Sequence, residues 1–312
     1  IIDKSTKTII NHATLNYGMT MTTMLTMMAV IWSINNYFQS FGALSVIKVN
    51  SKWFQVHERG RLAGFFSIPI QFGRFLGTIV CSALVFVLPW QYIFWIPAVL
   101  LAVMFFIGRK YMFEAPEDLG YQYFDTHVID KEKVRISLVL KKVFANPTMW
   151  IIAALSMCLG IVRNSIDHWY ARYFQVVFHV GATQIITFAP YKLVASCVPI
   201  VMIVAGFAAG YLSDKKFGSR RGPIVFFSFI GQVVFLTCLH YFIFSPWLAA
   251  ISLIMLLGFI QGGHCLIAAT ASMDFGGRKA AATATGFIDG MQYLAGAMVG
   301  YGMGKLLDTS KV

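Results

Sequence analysis

The chain has 312 residues, with 25 Lys and Arg against 13 Asp and Glu, a formal net charge of +12. Hydrophobic residues make up 58% and charged residues 12%, about half the roughly 25% charge content of a water-soluble globule, and the mean hydropathy is +0.69. This balance excludes a soluble domain and a disordered chain, and the basic residues fall in alternate loops between apolar runs, which excludes a nucleic-acid-binding surface.

The apolar runs are about 20 residues long and do not alternate with period two, so they are helices that cross a bilayer. Backbone polar groups have no water partners in lipid, and a helix satisfies them internally. In chain order the runs fall at 18–46, 62–88, 91–107, 148–170, 183–212, 223–244, 247–273 and 281–307. The sequence therefore predicts an all-α membrane protein with eight transmembrane helices. The five cysteines lie in or beside these runs without metal-ligand spacing. No nucleophile–base set, metal cluster or nucleotide loop is visible, so no enzyme and no cofactor is expected.

The loops obey a positive-inside pattern. The loop after the first run holds Lys48, Lys52, Arg59 and Arg61; 109–147 holds seven basic residues; 215–221 holds four; Arg278 and Lys279 occupy the last. Of the intervening loops, only the one with Arg172 carries a basic residue. The one long polar stretch, 109–147, mixes Lys and Arg with Glu114, Glu117, Asp118, Asp125, Asp130 and Glu132 and reads as a cytoplasmic loop. It divides the chain into 1–108, three helices of a first bundle, and 148–312, five helices of a second. Three and five are uneven for a carrier built of repeated halves. With a polar start and no initiator Met, the chain reads as a fragment.

Asn36-Tyr37-Phe38-Gln39-Ser40-Phe41-Gly42, followed by Lys48, Trp53-Phe54 and Glu58-Arg59-Gly60, resembles the fourth helix and following loop of the organophosphate:phosphate antiporters of the major facilitator superfamily. Glu117-Asp118-Leu119-Gly120 is similar to the start of their central loop, and Val162-Arg163 with Trp169 to their seventh helix. Gly210-Tyr211-Leu212-Ser213-Asp214, with Arg220-Arg221-Gly222, is similar to the superfamily motif between helices eight and nine. Thr283, Gly286 and Asp289-Gly290 resemble the start of helix eleven. In that register the eight runs are helices four to eleven of a presumed twelve. The chain departs from the family at Ala43-Leu44, where Trp-Pro is usual, and at Ile70, where some members carry His. It departs again at Asp167, one position early, with His168 in the acidic place. These differences bear on the substrate more than on the fold.

Polar residues inside the runs are candidate site residues, because an Arg at mid-bilayer costs about 2.5–3.5 kcal/mol and needs a cavity, partner or ligand. Arg163 lies mid-segment, and a guanidinium matches phosphate oxygens in a two-pronged fork. The resemblance implies that it binds phosphate; alternatively it pairs with Asp167, one turn away. Arg74, with Gln71 on its face, supplies a second positive charge or a structural pair. Lys192 reaches the site or snorkels to the interface. Asn36 and Gln39 stripe the first run, and Gln261 and His264 the seventh. Asp289 is a membrane carboxylate suited to a cation or a coupling proton. Asp214, Arg220 and Arg221 are expected to latch two helices in one conformational state.

The resemblance implies a secondary transporter in a bacterial inner membrane, exchanging a phosphorylated small molecule for inorganic phosphate. Its partners are then an anionic substrate, phosphate and the lipid bilayer, with no nucleic acid. Two other readings stay open: a proton-coupled carrier of a sugar or organic anion, and a transporter-like sensor of organophosphates.

Overall fold

The computed structural model describes residues 4–54, 58–89, 91–121, 136–181 and 184–310. These form nine α-helices: α1 (Lys4–Trp53), α2 (Arg59–Val87), α3 (Tyr92–Tyr111), α4 (Ile136–Ala145), α5 (Pro147–Val177), α6 (Ala189–Lys215), α7 (Arg221–Tyr241), α8 (Pro246–His264) and α9 (Ser272–Ser310). Among the described residues, five helical runs are long and apolar enough to cross a membrane: α3, α5, α6, α7 and Pro246–Ala268. The charged central residues 122–135, including Asp125, Asp130 and Glu132, lie outside the described part.

Local chemistry sets the helix starts. Asn146 caps α5, its Oδ1 accepting the Thr148 N–H at 3.0 Å, and Pro147 occupies the first helical position, where no N–H is needed. Pro246 begins α8 in the same way, and Pro190 is the second residue of α6. This shortens the fifth run, expected from 183: its helix starts at Ala189. Helix α1 instead extends beyond the expected run, because the polar residues from Lys4 onward continue the helix.

The chain forms two units, 1–46 and 47–312. The first is the greater part of α1, where the Tyr37 ring meets Phe38 and Phe41 edge-on. In the second unit α8 is the buried centre. It is apolar around most of its circumference, as a largely enclosed helix must be, and Leu253, Leu256, Leu257 and Ile260 are almost wholly covered. Helices α6 and α7 pack along α8, α9 packs along α5, and α2 packs along α6. At Gly64 of α2 an added Cβ would sit 2.8 Å from Phe207 Cα and 2.9 Å from the Gly206 carbonyl, so this crossing tolerates only hydrogen. The α6–α7 turn passes through the left-handed region at Gly218 and Ser219.

The loop expected around Arg278 and Lys279 is helical. A π-helical turn, Cys265–Ala271, joins α8 directly to α9, and the side chains of 269–281 are outside the described set. The Gln292 side chain nevertheless lies 3.3 Å from that of His264. Straight helix over 28 positions would separate them by about 42 Å, so the run doubles back between them. Large apolar residues such as Phe226, Phe227, Val233 and Tyr241 face outward, the arrangement of a protein solvated by lipid. The molecule is an all-α integral membrane protein.

Candidate substrate site

Four helices of the second unit bring polar side chains into the bundle. Arg163 on α5 is half-buried, and its Nη1 lies 3.0 Å from His264 Nε2 on α8. Arginine can only donate, so Nε2 accepts and the ring proton sits on Nδ1. That nitrogen is 3.3 Å from Gln292 Nε2 on α9; turning the side-chain amide over puts its oxygen there as the acceptor of the Nδ1 proton. The three residues form a chain across α5, α8 and α9 that fixes the direction of the guanidinium.

One turn beyond Arg163, Asp167 accepts a hydrogen bond from Arg74 Nη2 on α2 at 2.6 Å. Its carboxylate and that of Asp289 on α9 both act electrostatically on Arg163. Asp289 Oδ1 is buried and has no hydrogen-bond partner among the described residues. One turn before Arg74, Gln71 donates through Nε2 to Gln261 Oε1 on α8 at 3.3 Å. Both glutamines are almost fully covered, at 3% and 4%. Two cations, two carboxylates, an imidazole and three amides thus gather within and at the edge of an apolar bundle.

Other expected site residues take no part in the contacts described above. Lys192 is exposed on α6. His168 lines an exposed groove of about 340 Å³ with Asn164, Arg172 and Gly296. Gln39 is exposed in the first unit, and the Asn36 side chain lies outside the described residues. Gln292 was not singled out from the sequence. Its spacing of three from Asp289, on the same helical face, is the signal that carries it.

A second cluster lies at the α6–α7 turn. Asp214 Oδ2 accepts the backbone N–H of Arg61, in the first turn of α2, at 2.6 Å. Arg221 and Ser219 hold Oδ1, and Arg221 also donates to Ser213 Oγ at 3.0 Å. Arg220 contributes its backbone carbonyl to Ser213 at 3.4 Å, while its side chain is exposed. A carboxylate at the amino end of α2 also meets the positive end of that helix dipole. Further along the chain, Lys48 and Lys52 hold Glu114 Oε1 at 2.6 and 2.7 Å. Their hydrogen bonds and charges push the Glu114 carboxyl down to about 2.

Residues 12–300 match the model of the Major Facilitator Superfamily, and the chain belongs to that family. It is 23% identical to a "Probable hexose phosphate transport protein" of Chlamydia pneumoniae, over 92% of this chain and 66% of that protein. It is 24% identical to the "Hexose-6-phosphate:phosphate antiporter" of Escherichia coli K12, over 92% and 64%. It is 23% identical to the "Membrane sensor protein UhpC" of the same organism, over 90% and 65%. The chain thus spans about two thirds of the length of these relatives. No solved structure matches it.

Proposed function

We propose that the protein is a secondary transporter that exchanges a phosphorylated small organic molecule for inorganic phosphate across a bacterial inner membrane. The observation that carries this reading is the Arg163 guanidinium, braced by His264 inside an apolar bundle with Arg74 engaged one turn away. A braced guanidinium presents its remaining N–H groups as a fork suited to phosphate oxygens. The proposed substrate-binding set is Arg163, Arg74, Gln71, Asp167, Gln261, His264 and Asp289, together with Lys192, His168, Asn36 and Gln39.

The proposed cycle follows from charge. In the empty state Asp167 partly neutralises both arginines. An arriving phosphate takes its place, and the released carboxylate no longer ties α2 to α5, which lowers the barrier to rocking the bundle of 1–108 against that of 148–312 about the loop 109–147. Without an anion the tie re-forms and the carrier stays put, so net movement requires exchange. Asp214, with Arg220 and Arg221, serves as a conformational latch at the far end of α2.

Exchange of radiolabelled phosphate in proteoliposomes tests this. Arg163→Lys keeps the charge and loses the fork, and is expected to abolish exchange while the protein still inserts; normal exchange by this variant sinks the proposal. A sensor reading is favoured by the relationship to a membrane sensor protein. Phosphate-ester binding without measurable flux selects it. A proton-coupled carrier is the reading that the unpartnered Asp289 oxygen favours, and uptake that collapses with an uncoupler selects that one.

A further inference from the structure

Helices α6 and α7 each pack along α8 but touch one another little. The gap between them is a groove of about 420 Å³. Its floor and walls are stripped of bulk at Ala205, Ala208, Gly258 and Gly262, and it is flanked by Phe217 and Phe227. Phe227 is exposed on the outer surface, so the groove opens toward the acyl chains of the bilayer. At one end stands Lys216, in the basic loop 215–221.

Among the described residues, no carboxylate pairs with Lys216 or Arg220. Asp214 is already held by Arg221, Ser219 and the Arg61 amide. Lys215 folds back onto Tyr211, with Nζ 2.7 Å from its hydroxyl. Lys216 and Arg220 remain exposed to the interface. Basic pockets between transmembrane helices at a membrane face suit anionic lipid headgroups.

We propose that this groove binds an anionic phospholipid, with one acyl chain between α6 and α7 and the phosphate on Lys216 and Arg220. Charge favours this occupant: Lys216 stands at one end of an otherwise apolar groove, the pairing that an anionic headgroup and an acyl chain present. The walls are apolar, which excludes a free phosphate ester. The bound lipid rests against Phe217 and Ile224, three residues from Asp214 and Arg221 respectively, and braces the turn that joins them. This inference stands whether or not the protein carries phosphate.

The test is native mass spectrometry of the full chain in detergent with phosphatidylglycerol or phosphatidylcholine of identical acyl chains. The wild type is expected to retain phosphatidylglycerol under activation that strips phosphatidylcholine. The surface pair Lys216→Gln and Arg220→Gln should weaken that retention about fivefold for each cation removed, and Ala208→Phe, which fills the groove, should lower retention of both lipids. Added inorganic phosphate should displace neither. Equal retention of the two lipids, or an anionic preference that survives the double glutamine variant, overturns the proposal. So does a dimer whose formation excludes lipid, since a second copy would then occupy the groove.

Discussion

Arg74 on α2 and Asp167 on α5 meet in an ion pair 2.6 Å long, with Arg74 nearly half exposed and Asp167 largely covered. The same carboxylate acts on Arg163, so it stands against two cations where an anion is proposed to bind. Asp167→Asn removes this internal competitor while keeping its shape. Phosphate should then bind about fivefold more tightly, because a half-exposed pair contributes at most ~1 kcal/mol, and Arg74→Ala should bind it more weakly. Titration calorimetry of the purified protein measures both. Equal affinities across the three proteins would remove Asp167 from the binding account.

The contact between Arg163 and His264 makes a different prediction, because it concerns direction rather than charge. His264→Ala leaves the guanidinium without its acceptor, and a hydrogen bond to a charged group contributes about 1.5–3 kcal/mol. Phosphate exchange should fall at least tenfold. His264→Gln places an amide oxygen near the position of Nε2 and should recover much of the loss. A glutamine variant as poor as the alanine variant would show that the imidazole does more than accept this bond.

Much of the helical layout was legible in the sequence because runs of lipid-facing and core residues differ so strongly from the loops. The starts of α5 and α8 at Pro147 and Pro246 could be placed within two residues, since Pro has a definite preference at a helix's first turn. The path between α8 and α9 could not. Arg278 and Lys279 mark a membrane boundary by charge, but charge does not say whether the backbone there leaves the helix. For the site, Arg163, Asp167 and His264 stood out because ionisable groups are rare in lipid. Their partners did not follow from spacing: Arg163 reaches α8 rather than its own-helix neighbour, and the cation bonded to Asp167 comes from α2. Those pairings depend on how helices far apart in sequence face one another, which a single helix's periodicity does not contain.

Glu114 provides a pH test away from the membrane interior. Its carboxyl is held down to about 2 by Lys48 and Lys52, below the ordinary value of about 4.3 in an unfolded chain. A depressed carboxylate contributes stability that is present above its unfolded value and lost as pH falls through the folded one. The thermal midpoint of the wild type should therefore exceed that of Glu114→Gln at pH 6. The difference should close between about pH 4.5 and pH 2. It should also shrink in high salt, because the carboxylate is half exposed and screened. A gap that persists at pH 2 would mean that Glu114 acts through packing and not through charge.

Asp214 and Arg221 are buried more deeply, at 3% and 9% exposed, and here the energetics change sign with the number of partners removed. Taking away only the carboxylate costs a covered guanidinium its salt-bridge partner, at about 3–5 kcal/mol. It also leaves the Arg61 N–H at the start of α2 without its acceptor. Asp214→Ala should lower the thermal midpoint substantially. Combining it with Arg221→Met removes the stranded charge and fills its volume with an apolar chain, so the double variant should regain stability over the single one despite carrying more changes. Thermal unfolding of the four proteins in one detergent closes the cycle. A double variant no more stable than Asp214→Ala would show that the Arg61 contact at the α2 terminus, not the buried charge, is what Asp214 mainly supplies.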